Sequence, residues 1–161
     1  VTIVSNTSPI TNLATVGQLN LLQHLYSEII IPQAVYIELT GLDYQVPGTR
    51  EVQTFSWIQT QQVRDVDRVE DLCAELDPGE AEAIVLAIEL NAERLLIDDQ
   101  QGRNAATRLG LEITGILGIL LIAKRRHLIS TVKPTLDALI EQANFRVSSR
   151  LYTEILESSG E

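Results

Sequence analysis

Four places in the sequence put oxygen-bearing side chains at the boundary of a structural element. They are Asn6 with Thr7 and Ser8, Glu38, Glu80, and the adjacent pair Asp98-Asp99. Hard oxygen donors contributed by separate elements suit Mg²⁺ or Mn²⁺, ions that keep several of their own waters. A pair of such ions often stabilises the attacking and leaving oxygens in phosphodiester hydrolysis. Other chemistries find less material. His24 and His127 do not form H-E-x-x-H, and Cys73 has no neighbouring His to activate it. The first strand is followed by neither G-x-G-x-x-G nor G-x-x-x-x-G-K-[ST], so no phosphate-cradling loop is present there. A phosphoaspartyl phosphatase would need a nucleophilic Asp after that strand, and the chain has Asn6.

The elements that position these residues alternate. Strands are predicted over 1–5, 28–31, 57–63, 94–97 and 111–114. Ser8-Pro9 reads as a helix start, with Ser as the cap and Pro at the first helical position. Two short helices, or one broken at Gly17, follow. Further helices are predicted over 33–39, 49–55, 66–76, 80–91, 101–109, 115–126, 132–143 and 148–156. Short strands alternating with helices imply βαβ units, a parallel sheet and an α/β fold. Ligands of such sheets bind beyond the carboxyl ends of the strands, so Asn6 and Asp98 are expected to meet there.

The helix over 80–91 offers the sharpest argument. At 100° per residue, Ala83, Ile84, Ala87, Ile88 and Leu90 form an apolar arc centred near Glu80. Glu82 and Glu89 lie opposite, with Glu93 close to them, and read as a solvated stripe. Glu80 is an acid on the buried face, and a buried carboxylate needs a cation or hydrogen-bond partners. Its simpler alternative is a favourable charge at a helix N-terminus. Glu38 leans toward the apolar side of its helix, with a surface glutamate as the alternative. Asp98-Asp99 directly follows a buried strand, and Asp99 alone could equally be a helix cap.

The chain has 161 residues, 45% of them apolar, with 12 basic against 22 acidic side chains and a net charge of −10. One domain spanning 1–161 is expected at this length, able to bury roughly 70% of its unfolded surface. A single cysteine excludes an internal disulfide framework and fits a reducing compartment. No run reaches the ~18 apolar residues of a membrane span. The opening Val1-Thr2-Ile3-Val4 lacks the basic stretch of a secretory signal, so a cytoplasmic protein is expected. The acidity implies that binding of nucleic acid by charge is weak or confined to a local patch.

Several segments together resemble the PIN domain, a small α/β fold of metal-dependent nucleases, and within it a PIN-like group of predicted nucleic-acid-binding proteins. They are V-S-N-T-S-P-I (4–10), I-I-P-Q-A-V-Y-I-E-L (30–39), L-D-P-G-E-A-E-A-I-V-L-A (76–87), L-L-I-D-D-Q-Q-G-R (95–103), and T-G-I-L-G-I-L-L-I-A-K with the following H-L-I (114–129). The resemblance implies a three-layer fold with a five-stranded, mainly parallel sheet flanked by helices. It implies an endoribonuclease that uses Mg²⁺ or Mn²⁺, in many relatives the toxin of a type II toxin–antitoxin pair of VapC-like kind. Carried over by position, Asn6 matches the first acid, Glu38 the second, Glu80 the third, and Asp98 or Asp99 the fourth. Thr7 or Ser8 matches a hydroxyl residue beside the metal.

The first position departs from the family, which usually has Asp there. Asn offers a carbonyl oxygen without charge. Arg103, one turn into the helix after Asp98-Asp99, is the arginine expected near a phosphate, with a surface role as its alternative. The implied partners are an RNA substrate, a small antitoxin protein and a second copy of the chain. A homodimer is also expected because Leu136, Leu139, Ile140, Leu151, Ile155 and Leu156 crowd the last two helices. The competing function is a catalytically weak PIN-like module that binds a partner or nucleic acid.

Overall fold

Short runs of β-branched residues, or of leucine in the fourth, make the strands β1 (Ile3–Ser5), β2 (Ile29–Pro32), β3 (Ile58–Gln61), β4 (Arg94–Leu96) and β5 (Ile113–Thr114). The computed structural model describes residues 1–161 and joins these strands in one all-parallel sheet, ordered β3-β2-β1-β4-β5. Val4 sits opposite Ile30, and Ser5 opposite Leu96. The sheet is the five-stranded parallel one expected, though β1, β3, β4 and β5 are each shorter than their predicted spans.

The helices are α1 (Thr7–Thr15), α2 (Asn20–Tyr26), α3 (Gln33–Thr40), α4 (Thr49–Thr54), α5 (Val66–Leu72), α6 (Pro78–Glu89), α7 (Gln100–Arg108), α8 (Ile116–Arg125), α9 (Lys133–Gln142) and α10 (Ser149–Ser158). Two predicted starts are corrected. α1 begins at Thr7 with Asn6 as its N-cap, ahead of Ser8-Pro9. Pro9 lies in the first turn, where a missing N–H does no harm because those donors have no partner within the helix. α6 begins at Pro78 with Asp77 as its cap, so Glu80 is the third helical residue. Gly17, with φ of +72°, takes the left-handed conformation that separates α1 from α2.

Alternation along the strands divides the core into two layers. Ile3, Ile29, Ile31 and Leu96 face one side, against Leu13 of α1, Leu22 of α2, Ile119 of α8 and Leu136 of α9. Val4, Leu95 and Ile97 face the other, against Ile84 of α6 and Ala105 and Ala106 of α7. The surplus of apolar residues that suggested a dimer is largely absorbed here. Leu136, Leu139 and Ile155 are buried, Ile140 and Leu156 pack against the core, and only Leu151 of the six is exposed.

From β1 the chain proceeds to β2 and β3 on one side, whereas β4 and β5 lie on the other. The strand order therefore reverses between β1 and β4. In an open parallel sheet the crevice forms at that point, beyond the strands' carboxyl ends.

Candidate active site

The crevice is assembled from the backbone outward. The Asn6 N–H donates to the Leu96 carbonyl at 2.9 Å, which ties the end of β1 to the end of β4. The Asn6 side chain makes no capping bond to its own helix, and the residue is only 3% exposed. Thr7, one residue on, donates its hydroxyl to Glu38 Oε2 at 2.7 Å and draws the last turn of α3 toward the crevice. Glu38 leans over Gly79 at the start of α6. A Cβ on residue 79 would stand 2.2 Å from Glu38 Oε1, so glycine is required there for the close approach.

The N-terminus of α6 supplies two more acids. Asp77 Oδ1 accepts from the Glu80 N–H at 2.8 Å, and Glu80 Oε1 accepts from the Asp77 N–H at 3.3 Å. This reciprocal capping box holds Glu80 in the first turn with 6% of its surface exposed. Asp99 caps α7 by accepting from the Gly102 N–H at 3.3 Å. Its carboxyl group lines the same cleft as that of Glu80 and helps to raise the Glu80 pKa. Gly102 keeps that meeting open, because a Cβ there would lie 3.1 Å from Glu80 Oε2 and 2.6 Å from Ile97 Cδ1.

The result is a cleft of about 380 Å³ lined by Asn6, Thr7, Ser8, Glu38, Asp77, Glu80, Asp99 and Gln101. No hydrophobic side chain lines it, and no lysine or arginine does either. Burial, the hydrogen bond with Asp99 and the charges of Asp77 and Asp99 push the Glu80 carboxyl up to about 8, against the pull of the Asp77 N–H. Glu38 is also raised, first by burial and then by Asp77, with the Thr7 hydroxyl and the Gly79 N–H opposing. Uncompensated carboxylates crowded together behave in this way.

Of the residues singled out from the sequence, Asn6, Thr7, Ser8, Glu38, Glu80 and Asp99 come together in this cleft. Asp98 and Arg103 do not. Asp98 Oδ1 accepts from the Ile116 N–H at 2.9 Å, so this carboxylate caps α8 and turns away from its neighbour. Burial raises its pKa, opposed by the Ile116 N–H and the Arg103 charge. Arg103 donates to the Ile97 carbonyl at 3.2 Å and lies with Asp98 in a neighbouring groove. The stripe of Glu82 and Glu89 is corrected as well. Glu82 accepts from the Ala34 N–H at 3.0 Å, at the start of α3. Glu89 accepts from the Arg64 and Asp65 N–H groups at 2.8 to 3.1 Å. Both are partly buried anchors of distant backbone. Asp77 and Gln101 line the cleft without having been singled out. The D-x-x-E spacing of Asp77 and Glu80 was the available signal, since it is a capping-box pattern that pins both side chains at one helix end.

A family model described as a PIN domain matches residues 2–161. The chain belongs to the PIN-domain family. No curated protein sequence matches it. Membership carries a nuclease-type function, and PIN nucleases act on nucleic acid with divalent metal ions. No helix of this PIN domain is long and apolar enough to cross a membrane.

The donor chemistry of the cleft fits such an ion. Its carboxylates are uncompensated, its lining is wholly polar, and Glu80 must otherwise hold a proton. No three acidic side chains form a finished cage. Mg²⁺ does not demand one, because it binds through one or two carboxylates and keeps its remaining waters.

Proposed function

We propose that this PIN domain is an endoribonuclease that hydrolyses RNA phosphodiester bonds with Mg²⁺ or Mn²⁺. The observation that carries the reading is the gathering of Glu38, Asp77, Glu80 and Asp99 round one polar cleft with no basic side chain among them. Glu80 and Asp99 would hold the ion, with the Asn6 carbonyl oxygen and Glu38 beside them. A bound ion of this kind lowers the pKa of an attacking water and offsets charge on the phosphate. The chain's own groups do the positioning. The Asp77–Glu80 box fixes the Glu80 rotamer, Thr7 fixes Glu38, and the Gly102 N–H fixes Asp99. Glu80 binds a proton in the metal-free state and releases it when a cation takes that place. The Ser8 hydroxyl is free to donate to a phosphate oxygen at the mouth of the cleft.

The biological setting follows from the resemblance. The protein acts in the cytoplasm as the toxin of a type II pair, neutralised by a small antitoxin protein, and as a homodimer. With most of the C-terminal leucines buried, the dimer rests on the resemblance alone.

The test is incubation of purified protein with RNA in Mg²⁺ or Mn²⁺, with and without chelator, beside Asn6→Asp. Cleavage that stops with chelator is expected, and Asn6→Asp, which adds a charged ligand, tightens Mn²⁺ binding. One observation favours a second reading, a catalytically weak binding module: the buried residue at the first ligand position is an uncharged Asn6. That reading prevails if the wild type neither binds Mn²⁺ at millimolar levels nor cuts RNA while Asn6→Asp does both.

A further inference from the structure

A groove of about 630 Å³ runs beside the acidic cleft, between the edge strand β5, α8 and α10. The first turn of α7 is the wall between the two. Asp99 and Gln101 face the cleft, whereas Asp98, Gln100 and Arg103 face the groove. Charge is sorted across that wall. The cleft has no basic side chain, and the groove has Arg94, Arg103, Arg125 and Arg146, four of the 12 basic residues of a chain with net charge −10.

Two of these guanidinium groups make no ion pair or hydrogen bond, and Arg103 lies beside the Asp98 carboxylate. Arg94 pairs loosely with Glu112 at 3.7 Å. Arg103 is held by a backbone carbonyl, and Arg125 and Arg146 are exposed without any hydrogen bond or ion pair. The one acid on the groove, Asp98, spends Oδ1 on the Ile116 N–H and buries Oδ2. In a protein with so many acids, cations left free along one groove match an anionic partner. The floor between them is apolar, formed by Leu117, Leu121 and Ile155.

We propose that this groove is the track for a single-stranded RNA segment flanking the scissile bond. Phosphates lie on Arg125, Arg146 and Arg103, and bases lie on the apolar floor. Single-strand sites combine a cationic path with apolar or aromatic platforms in this way. A duplex would hide its base faces from such a floor. Because the track and the cleft share a wall, a strand in the groove brings a neighbouring phosphate to Glu80 and Asp99. The proposal rests on the ribonuclease reading, deepens it by assigning the flanking strand to this groove, and is read by binding alone.

The experiment is fluorescence anisotropy of a labelled single-stranded oligoribonucleotide with the full chain in EDTA, across a salt series. Arg125→Glu with Arg146→Glu weakens binding by about tenfold or more at low salt, through loss of two phosphate contacts and gain of repulsion. The corresponding double Arg→Ala variant lowers the slope of log K against log salt by about 0.7 per arginine removed. Arg50→Glu is the control, because α4 packs against β3 at the opposite edge of the sheet. It leaves affinity within about twofold, as one exposed charge outside the contact surface should. Glu80→Gln binds as tightly as wild type while cleavage falls. Double-reversal affinity equal to that of Arg50→Glu overturns the track and leaves the arginines to an acidic polypeptide. Arginine-dependent binding by a protein that cleaves nothing removes the ribonuclease reading and keeps the track.

Discussion

Glu80→Gln should make the metal-free protein more stable at alkaline pH, although it removes a charge from a hydrogen-bonded helix cap. The Glu80 carboxyl lies at about 8 in the folded chain against an ordinary 4.5. A carboxyl raised on folding contributes its full stabilisation below 4.5 and has lost it above about 8. Wild-type stability should therefore decline across that window and level off beyond it. At about 1.4 kcal/mol per pKa unit the ceiling is on the order of 5 kcal/mol, and coupling of Glu80 to the neighbouring carboxylates reduces the expected effect to about 1–3 kcal/mol. Glutamine imitates the protonated form at every pH. Its carbonyl accepts from the Asp77 N–H as Glu80 Oε1 does at 3.3 Å, and its amide donates to Asp99. Urea unfolding in EDTA from about pH 5 to about pH 8 reads the difference as a shift in midpoint at constant m. The order reverses in saturating Mn²⁺, where wild type gains about 2.7 kcal/mol at a hundredfold excess over Kd and the glutamine variant gains little. Wild-type stability that is level across the window, with Glu80→Gln no more stable at its upper end, would refute the packing of Glu80 against Asp99.

Three other substitutions separate site from scaffold. Gly79→Ala puts a methyl group where Glu38 Oε1 would stand 2.2 Å away, so the carboxylate must swing out of the cleft. Stability by thermal melt should change by no more than about 1 kcal/mol, since alanine's helix propensity offsets the lost contact, while RNA cleavage falls sharply. Asp98→Asn keeps the acceptor for the Ile116 N–H and removes a buried charge, so the fold is unharmed and the Mn²⁺-induced rise in Tm is retained. Asp99→Asn abolishes that rise, and equal responses from the two variants would contradict their division of roles.

The structural readings differ in how far they reached from the sequence. The hydrophobic alternation of the five strands and the apolar arcs of the helices were local patterns, and they were enough for a parallel α/β sheet. The same patterns put Asn6, Glu38, Glu80 and the pair Asp98-Asp99 near strand ends or helix termini. The burial of Glu80 was visible because one helix wheel places it among Ala83, Ile84 and Ala87. The wheel shows a direction, though, and cannot show what lies along it. Glu82 points away from the apolar arc and still meets backbone, because α3 docks there and its Ala34 N–H needs an acceptor.

The sequence by itself determined the alternation of elements, the place of Glu80 on the buried face of its helix, and the excess of acids near the carboxyl edge of the sheet. All of these depend on neighbours within a few residues, where helix and strand geometry is set by backbone sterics and hydrogen bonding. Only the tertiary structure decided between Asp98 and Asp99. The two adjacent carboxylates leave β4 together, and each is taken by a different helix N-terminus, α8 for Asp98 and α7 for Asp99. It also decided that Thr7 reaches Glu38 and that the arginines gather beyond α7. Those outcomes depend on how distant elements pack against one sheet, and unpaired helix-end donors select their acceptors only after that packing brings them within reach.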